Sequence, residues 1–212
     1  MDVLLTGFEP FGGETVNPSW DAVSLLATTG PAGFDLATVR LPCVFGASLD
    51  VLRDAIDHYR PSVVICVGQA GGRSAITPER VAVNLDDARI PDNAGNQPVD
   101  TPVVPGAPTA YFATLPVKAC TAAVLSADIP AAVSHTAGTF VCNHVFYGLM
   151  HHLADTPTTR AGFVHVPYTP AQALPHQAPS LPLDTIAQAL TLITTTALAP
   201  PAHTTLLTGT LH

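Results

Sequence analysis

Short apolar runs alternate with helical periodicity along the first third of the chain. Val3–Phe8 is mostly apolar and runs into Gly-rich punctuation, the pattern of a buried strand. Asn17 stands where a helix cap belongs and Pro18 at the first helical position, predicting a helix to about Ala27. Asp35–Leu41 reads as a second strand. Over Gly46–Tyr59, Leu49, Leu52, Ala55 and Ile56 share one helical face, and Pro61 ends the helix. Val63–Gly68 is a third strand, apolar and β-branched as buried parallel strands are. Strand–helix–strand–helix–strand is the signature of a layered α/β domain.

The middle of the chain changes character. Val81, Val83 and Leu85 alternate with Arg80, Ala82 and Asn84, which predicts a half-exposed strand. From Asp86 to Pro108, Asp, Asn, Pro and Gly disfavour regular structure, and so long an irregular insert is usually functional. A helix is predicted near Val117–Ser126, a strand near Ala131–Ser134, a helix opening near Cys142, a strand at Gly162–Val166 and a last helix at Leu183–Leu198. Residues 1–200 thus read as one domain without repeat or linker, and the Thr-rich tail 201–212 as frayed.

Composition narrows the function. Hydrophobic residues make up 47% of the 212, which excludes a disordered chain. Charged residues are only 11%, against roughly 25% in an average globular protein, so some surface is a candidate for burial between subunits. A net charge of -8, with Lys118 the single lysine and the seven arginines scattered, argues against nucleic acid. No apolar run approaches the ~20 residues of a membrane span, and the N-terminus lacks a positive leader, so a soluble, cytoplasmic chain is expected. Cys43, Cys66, Cys120 and Cys142 are expected as free thiols, and without a Cys-x-x-Cys pair no metal site is expected.

Candidate chemistry centres on Thr139-Phe140-Val141-Cys142-Asn143-His144. Val145, Phe146, Leu149, Met150 and Leu153 follow at helical spacing, which puts Cys142 in or beside a first turn. Free N–H groups and the helix dipole there are expected to lower the thiol from its usual ~8.5. An inert buried cysteine is the competing reading, and it suits Cys66 and Cys120. A thiolate needs an imidazole, and of nine histidines His165 sits near the carboxyl end of an apolar strand, where sites in α/β sheets gather. A satisfied core histidine would look the same. A carboxylate to orient that imidazole could be Glu79, Asp86 or Asp87; a salt bridge to an arginine would equally explain Glu79, and spacing does not choose among them. The Gly-rich stretches Gly7–Gly13 and Gly68–Gly72 match neither phosphate-loop fingerprint and read as places of close backbone approach.

Several motifs recur in order: Leu4, Thr6, Gly7 and Phe8; Gly68-Gln69-Ala70-Gly71-Gly72-Arg73; Glu79-Arg80-Val81-Ala82-Val83-Asn84; Asp87-Ala88-Arg89-Ile90-Pro91-Asp92-Asn93; Ala137–His144; and Gly162–Tyr168. Together they resemble the pyroglutamyl peptidase I family of cysteine peptidases, also called pyrrolidone carboxyl peptidases, over nearly the whole chain to about Leu198. The resemblance implies a three-layer α/β/α sandwich around a twisted, mostly parallel mixed sheet. It implies Cys142 as nucleophile, His165 as base and acid, and Glu79 orienting His165. Phe8, Phe11 and Phe140 would form the pocket with Asn17 nearby, Gln69 and Val141 would offer backbone hydrogen bonds to a lactam, and Arg89 would stand near the thiolate. It further implies peptides with N-terminal pyroglutamate as substrates, a homotetramer, and no metal or organic cofactor. Asp100-Thr101-Pro102 and His135 depart from the family's pattern. A nucleoside-phosphorylase-like enzyme, with Arg73 or Arg89 serving phosphate, and a catalytically silent binding protein are the competing readings.

Overall fold

A strand that is apolar at both odd and even positions must be covered on both faces. The computed structural model describes residues 1–30, 33–156, 158–200 and 206–209. In chain order it contains β1 (Val3–Phe8), α1 (Pro18–Thr29), β2 (Leu36–Leu41), α2 (Ala47–Tyr59), β3 (Val63–Gln69), β4 (Thr77–Pro78), β5 (Val81–Val83), β6 (Ala110–Phe112), α3 (Val117–Leu125), α4 (Val141–His152), β7 (Arg160–Val166), α5 (Pro170–His176) and α6 (Leu183–Leu198). The main sheet has the order β2-β1-β3-β7-β4, parallel throughout except for the short β4, which runs antiparallel to β7.

Alternation along the strands sorts the core into two halves. Val3, Leu5, Val63, Ile65, Val67, Val164 and Val166 meet α1, α3 and α6 on one face. Leu4, Phe8, Val64, Cys66, Ala161 and Phe163 meet α2 and α4 on the other. The mixed sheet between two helical layers agrees with the α/β expectation. Outside α4 lies a second sheet, the antiparallel ribbon β5–β6, so that α4 is buried at almost every position from Val141 to Met150.

The ribbon is docked by one side chain. Asn143 Oδ1 accepts from the Val83 N–H at 3.0 Å, and its Nδ2 donates to the Val83 and Leu85 carbonyls, both at 2.9 Å. The irregular stretch 86–108 is organised by Asp92, whose Oδ1 accepts from the Ala94 and Asn96 N–H groups and whose Oδ2 accepts from the Phe45 N–H. Along β4 the stretch expected as a strand at Ala131–Ser134 makes only isolated parallel bridges, Ile76 with Ala131 and Glu79 with Ser134. β6 and α5 were not expected from periodicity. Of the tail expected to fray, 201–205 and 210–212 lie outside the described residues, while Thr208 accepts a hydrogen bond from Arg80 at 3.1 Å.

Close backbone approach fixes how α1 seats on the sheet. A Cβ at Gly7 would lie 2.6 Å from Trp20 Cα and N, backbone atoms that can give way only if the helix shifts. Gly7→Ala is expected to lower unfolding free energy by about 1–3 kcal/mol, the range for forcing atoms into a packed contact. Urea denaturation measures it, and an unchanged midpoint would mean that α1 moves off β1 without loss.

Candidate active site

Because side chains alternate along β7, Phe163 and His165 project to the α2/α4 side while Val164 and Val166 project to the other. Gly68, at the end of β3, pairs in register with His165. A Cβ on Gly68 would lie 2.8 Å from Cys142 Sγ and 2.7 Å from Phe163 Cζ. The missing side chain is the space into which the thiol descends, at the strand position that pairs in register with His165. Glycine is required here by proximity, not by backbone conformation.

His165 is oriented from the opposite side. Its Nδ1 lies 2.7 Å from Glu79 Oε1, with the imidazole 4% exposed and the carboxylate 0% exposed. A carboxylate can only accept, so Nδ1 carries the proton and Nε2 is left as a lone pair. The Glu79 backbone N–H donates to the Phe163 carbonyl at 2.9 Å, placing the acid at the edge of β7. Arg73 reaches the same oxygen, Nη1 to Oε1 at 2.6 Å, and also donates to Thr77 Oγ1 and the Thr136 carbonyl. The two sequence readings of Glu79, imidazole partner and arginine salt bridge, hold together. Asp86, the rival carboxylate, is engaged elsewhere: its Oδ2 lies 2.8 Å from His144 Nδ1, while His144 Nε2 accepts from the Gly46 N–H at 3.0 Å. Asp87 is exposed and faces a surface cavity.

Charge in this cluster is governed first by burial. Burial opposes ionisation of Glu79, but the hydrogen bond and charge of His165, followed by hydrogen bonds from Ser134 and Arg73, hold its carboxyl below the usual glutamate range. Burial lowers His165, Glu79 pulls it back up in part, and Arg73 adds to the lowering, leaving a neutral imidazole at neutral pH. Burial pushes the Cys142 thiol well above its ordinary value; Cys43 and Glu79 push the same way and Arg73 opposes them. The expectation of a thiol acidified by the helix terminus is therefore corrected. Cys142 does occupy the first turn of α4, but burial, the largest influence on its thiol, opposes ionisation there. Burial likewise pushes Cys43, Cys66 and Cys120 up to about 12. What sets Cys142 apart is access, since it alone of the four is not fully buried.

The remaining expected residues divide by what their side chains do. Phe11 and Phe140 are half-buried, with ring centroids 6.0 Å apart, and Phe45 meets Phe140 edge-on at 5.4 Å. Phe140 and Arg89 line a cavity of about 240 Å³ with Asp87, Ile90 and Thr139. Phe8 is buried beneath, 6.3 Å from the Phe163 ring, and supports the site from the core. The buried Asn17 side chain caps α1 and donates to the Glu9 carbonyl, so it shapes the β1–α1 loop. Gln69 closes β3, its Oε1 accepting from Gln172 on α5 at 2.9 Å. Val141 is buried at the first position of α4, and among the described residues neither its N–H nor that of Cys142 has an acceptor, as first-turn donors do not. No three metal-ligating side chains converge among the described residues.

Sequence reasoning missed the structural duties of Asn143 and His144, the space made by Gly68, and Ile90 in the cavity wall. A buried Asn and a buried His directly after the cysteine were the available signal, since buried polar groups must be satisfied.

The comparisons with known proteins agree with one another. A family model described as pyroglutamyl peptidase matches residues 1–199. Pyrrolidone-carboxylate peptidase from Streptomyces coelicolor is 59% identical over 202 residues, 95% of this chain and 94% of that protein. Its counterpart from Gloeobacter violaceus is 63% identical over 174 residues, 82% of this chain and 85% of that protein. The crystal structure of Bacillus amyloliquefaciens pyroglutamyl peptidase I superposes with a TM-score of 0.90 at 54% identity, covering 93% of this chain and 96% of that one. A mutant pyrrolidone carboxyl peptidase from Pyrococcus furiosus gives 0.87 at 43% identity, covering 93% and 98%.

Gly68→Ala tests the seat of the thiol. The added methyl would collide with Sγ and the Phe163 ring, and displacing a reacting atom by about 1 Å can cost 10²-fold. A fall in kcat/KM of about 100-fold in a folded variant is expected, with folding checked by circular dichroism. Near-normal turnover would mean that the thiol works from another position.

Proposed function

Because the chain belongs to the pyroglutamyl peptidase family, we infer that it hydrolyses the amide bond after an N-terminal pyroglutamyl residue of peptides, with Cys142 as nucleophile, His165 as base and acid, and Glu79 orienting His165. The observation that carries the assignment is the seating of Cys142 Sγ over Gly68, register partner of a histidine whose far nitrogen is bonded to a buried carboxylate.

His165 Nε2 takes the thiol proton as Sγ attacks the pyroglutamyl carbonyl carbon. Glu79 stabilises the imidazolium formed in that step, and the unpaired N–H groups at the start of α4 are suited to the oxyanion. The imidazolium then protonates the departing amine, and water, deprotonated by the same nitrogen, hydrolyses the thioester. Pyroglutamate is a neutral lactam without a free α-amine, so a half-apolar recess with backbone partners at Gln69 and Val141 suits it. Phe11 and Phe140 wall that recess, Asn17 and Phe8 hold the loop behind it, and Arg89 completes the rim. An open-chain glutamate would bring charge into the same space.

The phosphorolytic alternative is weakened by Arg73, which is committed to Glu79. The same family reading makes the protein a cytoplasmic homotetramer. Four free cysteines and the exposed apolar side chains Val99, Phe112 and Leu174 support it.

Release of a chromogenic amine from pyroglutamyl-amide, compared with prolyl- and glutamyl-amide, tests the activity. The expected result is cleavage of the pyroglutamyl compound alone, lost in Cys142→Ser and kept in Cys66→Ser; an active Cys142→Ser would sink the nucleophile assignment. The imidazole must be neutral to act as base, and its pKa lies below the ordinary 6.5. The acid limb of kcat/KM should accordingly fall below pH 6.5, and a limb above it would overturn the neutral imidazole.

Phe140→Ala probes the pocket wall. Truncation should reduce kcat/KM for pyroglutamyl substrates by roughly 1–3 kcal/mol while leaving Cys142 alkylation by iodoacetamide unchanged. Equal slowing of both would make the ring a support of the fold instead of a reader of substrate.

A further inference from the structure

Arg73 is the last residue of Gly68-Gln69-Ala70-Gly71-Gly72-Arg73, and the chemistry above leaves it without a part. Its Nη1 lies 2.6 Å from the Glu79 oxygen that His165 Nδ1 meets at 2.7 Å. Two donors, one permanently charged and one that changes charge during turnover, therefore compete for one fully buried oxygen. The other, Oε2, is buried, and the Ser134 hydroxyl, 3.1 Å from the Thr136 carbonyl, stands close enough to help keep the carboxylate charged. A buried carboxylate left alone with an imidazole would hold the imidazolium too firmly for it to serve as a base.

We propose that Arg73 is a positioning residue of the Cys142–His165–Glu79 triad: it shares the Glu79 carboxylate so that His165 stays a neutral, correctly oriented base at neutral pH. The proposal rests on the triad reading above. Its geometry has a third anchor, because Nη2 donates to the Thr136 carbonyl at 2.9 Å, in the loop that leads through Gly138 into α4 and Cys142. One guanidinium thus ties β4 through Thr77, the acid through Glu79, and the approach to the nucleophile through Thr136.

The groups facing the reacting pair are few. His165 meets Glu79 and Arg73, with the Phe163 ring against it; Cys142 meets Cys43, Cys66, Glu79 and Arg73. Among these, Arg73 is the one permanent cation. Removing its charge favours the imidazolium and disfavours the thiolate, so both titrations move to higher pH and the whole activity profile moves with them. A purely structural arginine would lower the height of the profile and leave its limbs in place.

The experiment is the pH profile of kcat/KM on pyroglutamyl-amide for the wild type, Arg73→Gln and Arg73→Lys, with folding checked by circular dichroism. In Arg73→Gln both limbs should rise by about one pH unit, a shift of the size an adjacent charge produces. Turnover at the acid edge should fall about tenfold as a result. Arg73→Lys keeps the charge without the fork, so its limbs should stay at the wild-type positions at reduced height. Limbs in Arg73→Gln that coincide with wild type would overturn the proposal, whatever the height. Should that variant not fold, Arg73→Ala takes its place: limbs raised by about one pH unit support the proposal and limbs at the wild-type positions overturn it. Failure of the parent reading would appear separately, as an active Cys142→Ala.

Discussion

A carboxylate with no contact to water stays ionised only where the chain supplies enough opposite charge and enough donors. Glu79 is such a group, and much of the surrounding architecture serves that need. β4 is two residues long, yet its antiparallel pairing with β7 delivers Glu79 to the edge beside His165. The Gly-rich loop after β3 brings Arg73 back over the same edge. Tyr168 packs so tightly against Gly71 that a side chain there has no room, which holds the loop close to the end of β7. Glu79 and Arg73 lie six residues apart in one stretch of chain, and the pairing of β4 with β7 brings both to His165, 86 residues beyond Glu79.

The Cys142 thiol is positioned by a different device. Cys142, Asn143 and His144 are consecutive on a helix, so their side chains point in three directions, and each direction is fixed. Asn143 binds the β5–β6 ribbon on the outer side of α4. His144 binds Asp86 and the Gly46 N–H, its ring edge-on to Phe45 at 5.3 Å. Cys142 is left facing the sheet. A rotation of α4 that moved the thiol would break both flanking sets of hydrogen bonds, which is why a first-turn residue can be held as firmly as one in mid-strand.

How much of this was legible in the sequence follows from the range of the forces involved. Elements stabilised by burial on both faces announce themselves locally: Val3–Phe8 and Val63–Gln69 are strands for the reason their composition suggests. β6 and α5 lack that signal. Tyr111 and Phe112 belong to a short ribbon held against α4, and Pro170–His176 is one short helix kept in place by Gln172 on Gln69 and His176 on Glu14. Cys142 and His165 could be singled out from position, but the choice of Glu79 over Asp86 came from family resemblance and found its physical reason only in the fold, where His144 occupies Asp86. The error in the sign of the thiol's shift has the same origin. The helix terminus is a local property readable from a few residues, whereas desolvation is set by everything packed around the site.

The seat of the thiol on Gly68 also bears on what could be carried to another protein. A designer copying the three side chains onto a different layered scaffold would reproduce the named chemistry and miss the vacancy that admits it. Any residue larger than hydrogen at the neighbouring strand end fills the volume that Sγ occupies. The smallest portable unit therefore includes an absence: one strand position kept empty, on a segment that contributes no catalytic side chain of its own. Scanning α/β structures for a cysteine poised above such a bare strand terminus, with an imidazole in the adjacent register, would be a search by negative space, and it needs no sequence motif.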